Sequence, residues 1–280
     1  MKTVKYLIIT LLIFTIFAGS IAGTGGTRQT VLIQSTEAMI SSSALESASK
    51  IITLRLDDLG VGKYKISVLP GEKQIKMVFS EDVDLNLIEK LITHNGVIEF
   101  WETYDRVELP GVLGENNRLL SLLPVTDEQE TGGAAGCIPG KEITAVSNYL
   151  KAIEPGKRIS FAWQYDHASQ VACLYVLKAF DGGGPVITGS DVESAVFDSD
   201  AIRISLTEDA SARFADATRR NLDKVIAILL DGEVISSPRV RSEILNGELE
   251  ITGKFTKDEA GYVAALLNNG VLPSGFFVVE

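Results

Sequence analysis

The chain of 280 residues has few of the side chains from which reactive centres are built. It contains two histidines and two cysteines, and the motifs HExxH, CxxC, GxSxG, GxGxxG and GxxxxGK[ST] are all absent. Metal sites, serine hydrolases and nucleotide-binding loops are usually recognised by these spacings. The sequence therefore gives no support to an enzyme, and we expect no catalytic residue, no metal and no cofactor.

Positive charge is also scarce. The sequence has 26 Lys and Arg against 37 Asp and Glu, which gives a net charge of -11. Nucleic acids are bound by basic surfaces, and no cluster of Lys and Arg interleaved with aromatic residues occurs. We expect neither a nucleic acid nor a nucleotide as a partner, and we interpret the excess of acidic residues as favouring solubility.

Long apolar runs are limited to one, at residues 6–17 near the N-terminus. Lys2 and Lys5 precede this run and small residues follow it, which is typical of a secretory signal peptide. A membrane-spanning helix needs about 20 apolar residues, so the run is short for that purpose. We predict a signal peptide over residues 1–22 and an exported protein of the periplasm or cell envelope. An uncleaved N-terminal segment that anchors the protein to the membrane is the alternative.

The two cysteines are Cys137 and Cys173. A pair of cysteines in an oxidising compartment is compatible with one disulfide. Two separate thiols are equally compatible, because sequence alone does not show whether the two Cβ atoms lie within bonding reach.

Six elements follow one another in the first hundred residues in the order β-α-β-β-α-β. Alternating apolar residues predict strands, and apolar residues three to four positions apart predict helices. The predicted ranges are 30–34 (strand), 37–59 (helix), 65–69 and 74–79 (strands), a helix capped by Asp84, and 97–101 (strand). This order is typical of the ferredoxin-like, or split βαβ, arrangement. We predict the fold class α+β, with residues 97–101 as the fourth strand of one sheet.

A loop-rich region follows Trp101. Gly111 and Gly114 lie in it and provide the backbone freedom that a hinge requires, although ordinary turns use glycine in the same way. Trp101 ends a strand beside this region, and an aromatic ring there offers apolar area for binding a polypeptide. We predict Trp101, Gly111 and Gly114 as polypeptide-binding or hinge residues, whereas Phe100 and Phe161 are predicted to pack in the core.

Local signals are clearest in the last third of the chain. Thr207 is predicted to cap a helix, and Asp231-Gly232 predicts a two-residue hairpin turn because both positions favour positive φ. Thr256 and Glu259 have the spacing of a capping box, in which each side chain pairs with a backbone N–H of the other residue.

One set of residues is spread over most of the chain: 55–61, Leu69, Pro70, 97–102, Phe214, Thr218, Asn221, Lys224, 227–232, 236–238, Gly247, 251–253, Phe255, Glu259, Ala260, Leu267, Gly270, Leu272 and Pro273. In their identity and order these residues resemble the first periplasmic domain of SecD, the accessory membrane subunit of the bacterial Sec translocon. The resemblance covers most of residues 28–280, and the segment 174–178 is similar to one in the fused SecDF proteins of Bacteroidetes.

The resemblance implies a ferredoxin-like base with an inserted α+β head subdomain. It places the base at residues 23–104 plus 272–280 and the head at residues 105–271. It also implies that the protein binds unfolded exported polypeptides transiently, with components of the Sec translocon as further partners. The family continues into proton-coupled membrane helices, whereas this sequence ends at Glu280, so we expect a domain without that part. An adaptor of the cell envelope that has kept the fold but lost client binding is the alternative.

Overall fold

The computed structural model describes residues 28–114, 118–124, 133–153, 159–180, 183–198, 201–252 and 256–279. The signal peptide predicted over residues 1–22 lies outside these ranges. Within them, no helix is both long enough and apolar enough to cross a membrane.

A four-stranded antiparallel sheet carries the first two helices on one face. Its strand order is β14-β1-β3-β2, and every neighbouring pair is antiparallel. The apolar residues of β1 and β3 that face the helices are fully or almost fully buried, because α1 and α2 cover that face. The elements are β1 (Gln29–Ser35), α1 (Ser42–Asp58), β2 (Tyr64–Leu69), β3 (Gln74–Phe79), α2 (Leu85–Thr93) and, from the C-terminus, β14 (Phe276–Val279).

Side-chain caps set where the two helices begin. The Ser41 hydroxyl accepts the Ala44 N–H, so α1 starts at Ser42 and the prediction that it starts at residue 37 was wrong. The Asp84 carboxylate accepts the N–H groups of Asn86 and Leu87, as expected of an N-cap.

The strand predicted at residues 97–101 is present as β4 (Ile98–Thr103), but its predicted place in the sheet was wrong. It pairs with a different sheet, and β14 occupies the position beside β1. The reason is burial: Phe100 faces one core and Trp101 faces another, so both sides of β4 are apolar. Such a strand suits the interior of a layered sheet rather than an edge.

A second, seven-stranded sheet forms the centre of the molecule, in the order β5-β7-β6-β12-β11-β4-β8. An additional pairing between β7 and β4 closes five of these strands into a ring. All five contribute side chains to one small core, which therefore lies inside the ring. The strands not yet given bounds are β5 (Gly136–Pro139), β6 (Ile159–Asp166), β7 (Val171–Lys178), β8 (Ile187–Thr188), β11 (Ile226–Leu230) and β12 (Glu233–Ser236).

Three short helices cover one end of this sheet: α3 (Leu109–Leu113), α4 (Leu119–Leu122) and α5 (Ile143–Ala152). They share a core with β5, β6 and β7. Cys137 on β5 lies directly opposite Cys173 on β7, and a disulfide joins them.

The remaining elements form a three-stranded antiparallel sheet, in the order β13-β10-β9, with two helices. They are β9 (Val192–Asp198), β10 (Ala201–Leu206), α6 (Glu208–Arg220), β13 (Glu248–Thr252) and α7 (Lys257–Asn269). Helix α7 packs against β9 and also against α1 and α2. One continuous core therefore joins this sheet to the N-terminal sheet, across the boundary predicted between residues 271 and 272.

Candidate functional site

A groove of about 200 Å³ lies between α6, the central sheet and the segment 238–244. Aromatic and aliphatic side chains form its floor, and charged residues form its lip. The floor residues include Phe100, Phe214, Ile226, Ile228, Leu249 and Ile251, and the lip residues include Arg239, Arg241 and Glu250. The groove thus combines an apolar base with a polar entrance, as ligand-binding sites commonly do.

Two aromatic rings set the shape of the floor. Phe100 on β4 and Phe214 on α6 meet edge to face, with ring centroids 6.0 Å apart. This edge-to-face geometry is favoured for aromatic pairs. Phe100 was predicted as a core residue and is 1% exposed, but it also lines the groove.

Thr218 fixes the segment that forms the lip. Its hydroxyl is within hydrogen-bonding distance of the carbonyl of Phe214, at 2.9 Å, and it accepts the Ile244 N–H at 3.0 Å. The Thr218 side chain is buried, so replacing it with an apolar residue removes the partner of the Ile244 N–H, which is itself partly buried. The residue therefore ties the lip to helix α6.

Two further residues of the sequence pattern, Asn221 and Lys224, hold the end of α6 and the start of β11. The Asn221 amide donates to the carbonyl of Ala217 at 2.8 Å. The Lys224 ammonium lies 3.1 Å from Glu108 and 3.6 Å from Asp105. Burial opposes the charge of Lys224, but the hydrogen bond and the charge of Glu108 outweigh it and raise the pKa of Lys224. The contacts of Lys224 with Glu108 and Asp105 thus link the start of β11 to the segment that precedes α3.

Strand β13 borders the groove and is an edge strand. It pairs with β10 on one side, and no other described strand pairs with it. Leu249 of this strand is partly buried and faces the groove, whereas Glu248 and Glu250 are exposed. An edge strand presents unpaired backbone groups to which an extended peptide can bind.

The structure does not bring the predicted site residues to this groove. Trp101 is 7% exposed and lies inside the ring of strands, where its indole N–H donates to Glu99 at 3.0 Å. Gly111 lies within α3, and Gly114 ends that helix with φ of +88°. Only Gly114 has a backbone conformation that favours glycine. Binding by Trp101 and hinge motion at the two glycines stay predictions.

The lip arginines were not predicted from the sequence. Arg239 and Arg241 flank the buried Val240, so the segment alternates between outward polar and inward apolar side chains. Both guanidinium groups contact Asp223. Arg239 donates to the backbone carbonyl of Asp223, and Arg241 lies 3.7 Å from the Asp223 carboxylate. The alternation of Arg239, Val240 and Arg241 is visible in the sequence, and it is the signal by which this wall of the groove could have been found.

Known proteins resemble the part of the chain that forms most of the groove. Residues 165–274 match the family model described as "SecDF, P1 head subdomain". The chain is 34% identical to the protein translocase subunit SecDF of Thermus thermophilus, over 84% of this chain and 27% of that protein. It is 40% identical to the protein translocase subunit SecD of Acidaminococcus fermentans, over 35% of this chain and 25% of that protein. The chain is similar to proteins of the SecD/SecDF family. It spans about a quarter of the length of these curated relatives.

Solved SecDF structures share the fold. A crystal structure of SecDF in a super-membrane-facing form superposes on this chain with a TM-score of 0.53, and the superposition includes 90% of this chain and 29% of the SecDF chain. A second structure, of a membrane component SecDF that enhances protein export, superposes with a TM-score of 0.50. This superposition includes 90% of this chain and 98% of the compared SecDF chain. Both are 22% identical in sequence, so they establish the mixed α+β fold and nothing finer. All groove residues except Phe100 lie within the matched head subdomain.

Proposed function

We propose that this SecD-like chain binds exported polypeptides transiently during protein translocation across the membrane, without catalysing a reaction. The observation that carries the proposal is the apolar groove beside an open edge strand. The curated relatives are named as protein translocase subunits, which supports a role in moving polypeptides across a membrane.

The size of the groove favours a side chain over a small molecule. Its volume of about 200 Å³ is below the roughly 300–1,000 Å³ of typical small-molecule pockets. One or two apolar side chains of an extended segment fit such a space. Because unfolded exported proteins expose many apolar side chains, a small and undemanding pocket suits clients of varied sequence.

Strand addition at β13 is the second part of the proposed binding mode. Backbone hydrogen bonds to an edge strand do not depend on the client's side chains, and the neighbouring pocket then takes an apolar one. The mixed charges of the lip, Arg239 and Arg241 on one side and Glu250 on the other, impose no single sign on the client. The expected affinity is therefore modest, as transient binding requires.

The arrangement around the groove is also part of the proposal. We infer that the N-terminal sheet is a ferredoxin-like base, which the antiparallel order β14-β1-β3-β2 supports. We further propose that the chain acts at the outer side of the membrane, following the signal peptide expected from the sequence, and that it meets its clients at the Sec translocon.

A matched pair of substitutions tests the groove. Leu249 lines it, whereas Leu245 lies four residues earlier, is 73% exposed and does not line it. Leu249→Glu places a charge in the apolar space and is expected to weaken binding of an unfolded exported protein by about tenfold or more, which corresponds to the loss of roughly one buried apolar side chain. Leu245→Glu adds the same charge and is expected to leave binding within about twofold.

Fluorescence anisotropy with a labelled, unfolded secretory protein measures this difference. Thermal unfolding of both variants establishes that they are folded at the assay temperature. A client peptide with N-methylated amides at alternate positions tests strand addition without altering the protein. No binding by the unaltered chain, or equal losses in the two variants, contradicts the proposed site. Capture of folded envelope proteins in its place would favour the adaptor function.

A further inference from the structure

Three elements that are distant in sequence meet at the C-terminal end of α2. His94 follows the helix, Tyr262 lies on α7, and Asp231 lies in the turn between β11 and β12. The Tyr262 hydroxyl and the His94 Nδ1 atom are hydrogen-bonded. The same Nδ1 atom lies 4.0 Å from an Asp231 carboxylate oxygen. The Nδ1 atom of His94 can therefore either accept a hydrogen bond from the Tyr262 hydroxyl or, when protonated, donate one to the Asp231 carboxylate.

The backbone around His94 is held firmly, so its ring is the part free to respond. The Asp231 carboxylate accepts the N–H groups of Gly96 at 3.0 Å and Val97 at 2.8 Å. The buried guanidinium of Arg55 donates to the carbonyl of His94 at 2.8 Å. By contrast, the His94 side chain is 44% exposed, so protons from solvent reach it.

Charged groups of both signs face the imidazole. Asp231 and Glu233 favour its protonated form, whereas Lys90 on α2 and Arg55 on α1 oppose it. Burial opposes protonation most strongly, and the net effect lowers the pKa of His94 below its ordinary value. Burial also raises the pKa of Tyr262, so its hydroxyl keeps its proton when His94 titrates.

We propose that His94 is a proton-operated clasp between α2 and α7. In the neutral state, with its proton on Nε2, the imidazole accepts the Tyr262 hydroxyl through the lone pair of Nδ1 and joins the two helices. A proton taken from solvent occupies that lone pair. The Tyr262 hydroxyl then loses its acceptor, and the new N–H turns to the Asp231 carboxylate.

The direction of the response follows from the geometry. Because the folded protein favours neutral His94, the contact to Tyr262 is fully present above about pH 6.5, the ordinary histidine pKa. It is lost as the pH falls through the lower value in the folded protein. Acidification therefore loosens α7 from α2, in the core that α7 shares with the N-terminal sheet and the three-stranded sheet. The clasp goes beyond the proposed binding of polypeptides, since no client takes part in it.

Nuclear magnetic resonance of the untagged protein tests the first step. The chain has two histidines, so two imidazole signals are expected, and His167→Gln assigns them. His94 is expected to titrate below pH 6.5, and Tyr262→Phe is expected to raise its midpoint by about 0.5–1 unit, the effect of one hydrogen bond to the neutral form. Asp231→Asn keeps the oxygen that accepts Gly96 and Val97 but removes the charge, so it is expected to lower the midpoint.

Amide hydrogen exchange tests the second step. After correction for intrinsic rates, protection of residues 258–269 is expected to be lower at pH 5 than at pH 7.5 in the unaltered chain and in His167→Gln. His94→Gln does not titrate and is expected to show no such difference. A normal His94 midpoint that Tyr262→Phe leaves unchanged overturns the proposal, and so does an equal pH effect in His94→Gln. Neither measurement includes a client, so both outcomes are independent of polypeptide binding.

Discussion

At the scale of single residues, Arg55 shows how one buried charge organises two helix ends. Its side chain is fully buried and donates to the backbone carbonyls of Leu91, His94, Asn95 and Gly270 at 2.6–3.0 Å. These carbonyls lie at or just beyond the C-terminal ends of α2 and α7, where a helix has unpaired acceptors and a partial negative charge. The guanidinium thus satisfies both ends at once.

Replacing Arg55 tests this role. Arg55→Met keeps much of the apolar stem but leaves four carbonyls without their donor, so we expect the free energy of unfolding to fall by about 3 kcal/mol or more. Arg55→Lys keeps the charge but lacks the planar fork that reaches several acceptors, and it is expected to recover only part of the loss.

Urea unfolding at pH 7 and pH 8.5 measures both variants. Burial lowers the pKa of Arg55 to about 10, so its charge persists at both pH values and the loss is expected to be the same. A loss below about 1 kcal/mol would show that water replaces the guanidinium at these carbonyls.

At the scale of elements, the sequence predicts best what is decided locally. The Asp231-Gly232 turn has φ of +50° and +86°, as its residue types predict. The capping box of Thr256 and Glu259 is also present. Thr207 occupies the N-cap position of α6, yet its side chain makes no capping hydrogen bond. A cap residue is therefore predictable in position, whereas its hydrogen bond depends on a side-chain rotamer that tertiary packing selects.

This difference between two threonines leads to a prediction. The Thr256 hydroxyl accepts the Glu259 N–H at 3.2 Å, and the Glu259 carboxylate accepts the Thr256 N–H at 2.9 Å. We expect Thr256→Ala to lower the free energy of unfolding by about 1 kcal/mol. Thr207→Ala is the matched control at the start of α6 and is expected to change it by less than about 0.5 kcal/mol. Equal losses in thermal unfolding would contradict the role of the capping hydrogen bonds.

What the sequence could not predict is decided by pairing between distant segments. The strand at β4 was recognised, but its partner β11 lies more than a hundred residues away, and nothing local distinguishes that partner from β1. The groove was missed for the same reason, because Phe100 and Phe214 meet only in the folded chain. Residues 165–274 match the head subdomain of SecDF, yet Phe100, which lines the groove, lies outside that range.

At the scale of the whole molecule, the C-terminal strand and α7 join parts that the sequence predicted as separate subdomains. Helix α7 packs against the three-stranded sheet and against α1 and α2, which cover the N-terminal sheet, and β14 then completes the N-terminal sheet beside β1. The chain thus leaves the N-terminal sheet after α2 and returns to it only at residue 276. Any change that weakens β14 therefore acts on the segment that joins the two ends of the chain.

Two neighbouring phenylalanines of β14 test whether this connection makes unfolding cooperative. Phe276 is 5% exposed in the largest core, whereas Phe277 is 45% exposed. We expect Phe276→Ala to lower the free energy of unfolding by about 3–5 kcal/mol, and Phe277→Ala by less than about 1 kcal/mol. Because one core spans the N-terminal sheet and the three-stranded sheet, we also expect calorimetry of Phe276→Ala to shift a single transition rather than split it. Two separate transitions, with only one of them sensitive to Phe276, would show instead that the sheets are independent units and that α7 belongs energetically to one of them.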